Sequence, residues 1–144
     1  MIIWRKELRP DSGGAGKQRG GLGQYMEVGA RIGHEFDIQA MFDRVDHPAQ
    51  GRRGGQNGAP TTIAQDDGTA MNGKGKQFVA HGRRVVMAFP GGAGYGVVAD
   101  RDPEQVKLDL ARGSISPEVA AREYGLSAED IAEVQELVAR GEDI

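Results

Sequence analysis

Glycine constrains this chain more than any other feature: 23 of its 144 residues are glycine, and 20 of those precede residue 103. Ordering a glycine costs more backbone entropy than ordering any other residue, so such a chain folds only where tertiary contacts grip its backbone. The length is that of one ordinary domain. Only 38% of residues are hydrophobic and 6% aromatic, so the core is expected to be thin, with support from partner chains.

Charge divides the chain at the same place. Residues 1–102 hold 14 Lys and Arg against 11 Asp and Glu, whereas residues 103–144 hold 4 against 10. We therefore expect a Gly-rich β region over 1–102 and a helical tail over 103–144, one structural domain overall. The absence of cysteine excludes disulfides, thiolate zinc sites and a Cys nucleophile. Met1–Glu7 lacks an apolar stretch followed by a cleavage site, and the longest apolar run, Val85–Phe89, is far too short to span a bilayer. The expectation is a cytoplasmic chain, complete as it begins with methionine, with no membrane contact.

Residues 9–23 read as an ordered glycine loop, since they can form neither a helix nor a regular strand. Strands are predicted over Gln24–Ile32 and Glu35–Phe42, the second with Phe36, Ile38, Ala40 and Phe42 on one face. Residues 46–60 form a second loop. Short strands follow at Thr61–Gln65, Gln77–His81 and Arg83–Phe89, the last two paired as a hairpin about Gly82. A glycine turn, Pro90–Gly96, ends the β region. In the tail, Asp102-Pro103 starts one helix, with Gln105 placed to close a capping box, and Gly113 stops it. Ser116-Pro117 and Gly125 bracket a second. Ser127 opens a third, with Ile131, Val134, Leu137 and Val138 on its apolar face and Gly141 at its end. The fold class is α+β, a glycine-loop-rich β region followed by three short C-terminal helices.

Several familiar chemistries fail on spacing. Gly13-Gly14-Ala15-Gly16-Lys17-Gln18 lacks the Ser or Thr that follows the lysine of a phosphate loop, and strand-like sequence follows it. An anion nest of backbone amides, with Lys17 and Arg19 adding charge, is the weaker form of that idea; a tight connection packed on a partner chain is the alternative. Gly92, Gly94 and Gly96 are followed by Val97 where a dinucleotide fingerprint needs its third glycine. His34 and Asp37 have opposite strand parity, so His34, Asp37, Asp43, Asp46 and His47 read as surface residues and no metal site is expected. Ser12, Ser114, Ser116 and Ser127 read as loop or capping serines. Residues 117–140 have a helix-turn-helix outline, but Glu129, Asp130, Glu133 and Glu136 would face a phosphate backbone; no nucleic-acid partner is expected.

Taken in order, several segments resemble the C-terminal part of the hydantoinase B family, which includes hydantoinase and 5-oxoprolinase chains and the matching chains of acetone-type carboxylases. They are Asp11–Gly16 with Arg19–Gln24; Phe42–Arg44, Pro48, Gly51 and Gly54-Gly55; Pro90–Gly96 with Arg101–Glu104; then Val106, Asp109, Gly113, Ser116–Glu118, Ala121 and Tyr124-Gly125. The likeness covers residues 9–125, in a chain several times shorter than family members. It implies a separate small subunit, most similar to that of acetophenone carboxylase-type enzymes. These are ATP-dependent, biotin-independent ligases that convert a ketone and bicarbonate to a β-keto acid. The alternative is a subunit of an ATP-dependent hydantoinase or 5-oxoprolinase; a stand-alone binding or regulatory module, resting on Arg52-Arg53 and Arg83-Arg84, is a third reading. The resemblance further implies that larger hydantoinase A-like and B-like partners hold ATP and a divalent metal (Mg or Mn), this chain binding no cofactor. Its own candidate loop, cavity or interface residues are Gly13, Gly14, Gly16, Lys17, Arg19, Gly20 and Gly21, with Gly91, Gly92, Gly94, Tyr95 and Gly96; catalytic residues are not assigned.

Overall fold

The computed structural model describes residues 1–31 and 34–142. Six strands come first: β1 (Ile2–Arg9), β2 (Gly23–Gly29), β3 (Phe36–Met41), β4 (Thr62–Gln65), β5 (Lys74–Val79) and β6 (Arg84–Ala88). A single 3₁₀ turn over Val98–Asp100 leads into α1 (Pro103–Ala111), α2 (Pro117–Tyr124) and α3 (Ala128–Arg140). This is the expected α+β order. No helix among the described residues is long and apolar enough to cross a membrane.

The strands form a four-stranded antiparallel sheet in the order β1-β2-β6-β4 and a two-stranded sheet of β3 and β5. Side chains alternate along a strand, so each sheet offers one apolar face. Val28, Ile63, Val85 and Met87 from the larger sheet meet Val79 from the smaller one, with Phe36, Ile38 and Phe42 packed around them. Ala40, on the same face of β3, is buried as its alternation requires.

Three strand expectations need correction. β5 and β6 form no hairpin: β5 pairs with β3, and β6 pairs with β2 and β4. Gly82 does turn the chain, at a φ of +76°, but the turn carries it from one sheet to the facing one. Val79 and Val85, both fully buried, therefore meet across the core instead of side by side. The strand expected over Gln24–Ile32 ends at Gly29, and Ile32 lies outside the described residues. β1 had no counterpart in the sequence reading, because Ile2–Arg9 shows no clean alternation.

In the tail, punctuation sets the elements. Ser116 Oγ accepts from Val119 N at 3.2 Å and Ser127 Oγ from Asp130 N at 3.0 Å. Gly125 and Gly141 end their helices in the left-handed region. Asp102 caps through Glu104 N at 3.0 Å, while the Gln105 amide bonds the Asp102 carbonyl at 3.0 Å. The short carboxylate thus reaches the second helical amide, and the expected capping box gives way to a simple cap. Replacing Ser127 with alanine should lower stability by about 1 kcal/mol, the usual worth of such a cap, read as a reduced urea midpoint at constant m-value.

A second core holds the helices together: Val106, Leu110, Ile115, Ala120, Leu126 and Val134, with Ile131 and Tyr124 against it. The expected stripe on α3 is only partly covered, since Val138 is 47% exposed. It borders an open groove of about 390 Å³ shared with Pro10, Leu110 and Pro117. Among the described elements α1 and α2 pack on α3, and the Val138 edge of its stripe stays open. Lys107 Nζ reaches Asp130 at 2.7 Å, and this hydrogen bond holds the Asp130 carboxyl below the ordinary carboxylate range. Asp130 is therefore engaged within the tail, while Glu129, Glu133 and Glu136 face outward.

Candidate functional site

The three glycine segments converge on one another. Residues 10–22, 49–60 and 90–97 are cross-linked through their backbones. Gly14 N bonds Gly92 O at 2.9 Å, Gly92 N bonds Gly21 O at 2.9 Å, and Gln18 and Tyr95 exchange both bonds at 2.9 Å. The middle segment joins them, with Gln56 N on Ala15 O at 2.7 Å, Gly94 N on Gln56 O at 2.9 Å, and Gly96 N on Arg52 O at 3.0 Å. At the mouth of the first segment Ser12 is fully buried. Its Oγ donates to Arg9 O at 2.6 Å and accepts from Gly23 N at 2.8 Å.

Such convergence demands glycine, as it does at the axis of a collagen triple helix. A Cβ on Gly91 would strike the Ser12 carbonyl, and one on Gly94 the Ala15 carbonyl. Gly13, Gly14, Gly16 and Gly20 likewise abut neighbouring backbone. Gly21 does not: it is exposed, with nothing within 4 Å of an added Cβ. The segments therefore pack on each other within this chain.

The anion-nest idea gains no support. The amides of Gly14, Lys17, Gly20, Gly91, Gly92, Gly94, Tyr95 and Gly96 all donate to carbonyls of the assembly. Lys17 is exposed. Arg19 is committed elsewhere, to Asp109 on α1. Arg19 Nε and Nη2 grip the two Asp109 oxygens at 3.0 Å each, a bidentate fork of the strong kind. Arg101 Nη2 adds a bond to Asp109 Oδ2 at 2.6 Å, and its Nη1 donates to Lys17 O at 3.0 Å. Asp109 is only 7% exposed. One buried carboxylate thus ties two cations, one from a glycine segment and one from the entry to α1.

Tyr124 closes this cluster from α2, with Arg101 5.8 Å above its ring. Arg101 Nε is buried without a hydrogen-bond partner; the Tyr124 hydroxyl is buried beside the Gly16 backbone, and burial pushes the phenol pKa above its ordinary value. Further ties run in parallel. Asp11, at a φ of +59°, donates its amide to Ser114 O at 3.1 Å and accepts from Ser116 N at 2.7 Å; Gln56 Nε2 bonds Glu123. The helical tail is therefore a clamp on the glycine assembly. Sequence reasoning missed this cluster, although Asp109 sits on the apolar face of α1 beside Val106 and Leu110, where an acid is out of place unless paired.

The acids weighed as metal ligands, Asp37, Asp43 and Asp46, are exposed. Asp37 pairs with Lys76 at 2.9 Å and Asp43 with Lys74 at 3.0 Å. Among the described residues, no group of three or more His, Asp or Glu is placed to hold a metal ion.

The chain belongs to the hydantoinase B/oxoprolinase family, whose sequence profile matches residues 1–98. The match takes in β1, which the motif likeness over 9–125 had left out. The chain is 28% identical over 134 residues to the caprolactamase subunit beta of Pseudomonas jessenii, covering 88% of this chain and 23% of that protein. The crystal structure of ATP-dependent caprolactamase from Pseudomonas jessenii superposes with a TM-score of 0.71 at 27% identity, over 96% of this chain and 26% of that one. Nucleotide-free acetone carboxylase superposes with a TM-score of 0.68 over 97% of this chain and 25% of that one, at 16% identity, a likeness of fold alone. The chain spans about a quarter of the length of these proteins.

Proposed function

We propose that this chain is a structural part of a heteromeric ATP-dependent enzyme acting on the carbonyl of a cyclic amide, of the lactamase, hydantoinase or 5-oxoprolinase type. The carrying observation is sequence identity: 27% to a caprolactamase structure against 16% to acetone carboxylase, at nearly equal fold similarity. A ketone carboxylase of the acetophenone carboxylase type, joining a ketone and bicarbonate, is the second reading, supported by the acetone carboxylase likeness. Both reactions start from a poorly reactive carbonyl that phosphoryl transfer from ATP would activate.

Phosphoryl transfer needs a phosphate cradle, cations and a positioned base. Three features of the described residues support a site for ATP and its metal outside this chain. The amides of Gly14, Gly20, Gly91, Gly92, Gly94 and Gly96 are spent on carbonyls, Arg19 and Arg101 are bound to Asp109, and no group of three or more His, Asp or Glu among the described residues is placed to hold a metal ion. We therefore place nucleotide, metal and chemistry in larger hydantoinase A-like and B-like partners, with this chain as a rigid wall beside them.

The test is co-expression with those larger polypeptides, followed by ATP-turnover assays of the purified complex. Consumption of ATP with a lactam, a hydantoin or 5-oxoproline, and none with a ketone plus bicarbonate, is expected. Turnover on the ketone alone would select the carboxylase reading, and failure to co-purify would end both. An azido-ATP photolabel should mark the larger chains; labelling of residues 10–22 would overturn the structural role.

A further inference from the structure

β1 is finished on one face and open on the other. Its place at the edge of the β1-β2-β6-β4 sheet leaves one row of backbone groups without a neighbouring strand among the described residues. On one face, Arg5 and Arg9 lie over the Tyr25 ring at 4.6 and 5.7 Å, and Trp4 stacks under Arg84 at 3.8 Å. That face is occupied. The other face continues the core side of the sheet, because Ile3 opposes Val28, Lys6 opposes Met26 and Leu8 opposes Gln24. Val28 is 6% exposed, whereas Ile3 and Leu8 are each 60% exposed. The cover supplied by the smaller sheet stops at β2.

Two points bear on what completes it. β1 lies within the part matched to the family, yet the chain spans about a quarter of its relatives, so most of the family's architecture lies outside this chain. A second copy fits poorly. Because of the bulge between Ile3 and Arg5, a two-fold pairing of β1 with itself cannot keep each face on its own side: setting Arg5 on Arg5 puts Ile3 opposite Glu7, and setting Lys6 on Lys6 puts Leu8 opposite Trp4. Like charges directly opposite destabilise a strand pair.

We propose that the free edge of β1 accepts a strand from the larger hydantoinase B-type polypeptide, with aliphatic side chains facing Ile3 and Leu8 and a carboxylate facing Lys6. The proposal rests on the function proposed above, which supplies that polypeptide. Backbone bonds give such strand addition its affinity and the alternating side chains its specificity. It also removes an apolar edge that would otherwise be an aggregation site.

The full chain, its Leu8→Lys and Lys6→Glu variants, and a Glu136→Lys control on the outer face of α3 are each co-expressed with the larger polypeptides. Wild type and control should be captured equally, and both β1 variants at least tenfold more weakly, with unchanged melting of the chain itself. Amide exchange over residues 2–9 should slow at least tenfold in the complex. Equal capture of the β1 variants would overturn the edge proposal while leaving the proposed function standing. Failure of wild type to bind would remove both. A dimer of the isolated chain, broken by Leu8→Lys, would assign the edge to a second copy and overturn the proposal.

Discussion

Replacing Gly94 with alanine should cost at least about 3 kcal/mol of stability, the upper range for forcing extra atoms into a packed interior. The added Cβ would meet the Ala15 carbonyl oxygen, with the Gly14 carbonyl 2.7 Å away. Neither can yield cheaply, because Ala15 O already accepts Gln56 N at 2.7 Å and Gly94 N is bonded to Gln56 O. Relief would require opening the joint between all three segments. Gly21→Ala is the matched control, since its Cβ would enter open space, and it should stay within about 0.5 kcal/mol of wild type. Urea unfolding of the two variants makes the comparison. A Gly94→Ala chain that unfolds like wild type, but loses turnover in the complex, would make the segments a catalytic wall instead of a structural joint.

How much of this was legible in the sequence follows the range of the interactions. The helices were readable because Ser116, Ser127, Gly125 and Gly141 act within one turn of themselves, and the structure uses all four as caps. β3 was readable because its alternation is local. The partners of β5 and β6 were not, since a positive-φ glycine at position 82 serves equally in a hairpin and in a crossing between sheets. β1 was hidden by its open face: a strand with Ile3 and Leu8 left exposed lacks the alternation that a covered one shows. The glycine-rich segments announced close backbone approach without naming the neighbour, and each proved to be packed on the other two. Among the candidate residues, Arg19 is bonded to Asp109, 90 positions away, a partner that no local pattern in its glycine segment names.

The Asp109 cluster should be the other point of greatest sensitivity. Asp109→Asn keeps the shape of the side chain and removes its charge, leaving the guanidinium groups of Arg19 and Arg101, whose side chains are 16% and 9% exposed, without a counter-ion. Removing one member of a buried pair costs about 3–5 kcal/mol, because the remaining charge is desolvated and unpaired. Here two cations are stranded, and the tie between a glycine segment and α1 is lost with them. The melting temperature of the purified chain should fall by roughly 10 °C or more, given a few degrees per kcal/mol for a domain of this size. Lys107→Ala breaks a more exposed link to Asp130 and should leave the melting temperature close to that of wild type, because solvent screens such a pair. Adding Arg19→Met to Asp109→Asn should recover part of the loss, since it withdraws one stranded charge and keeps most of the buried volume. That recovery, measured as a non-additive double-mutant cycle, separates an ion cluster from simple packing. Strict additivity, or an Asp109→Asn melt within a degree or two of wild type, would mean that the clamp is held by Asp11 and Gln56 instead.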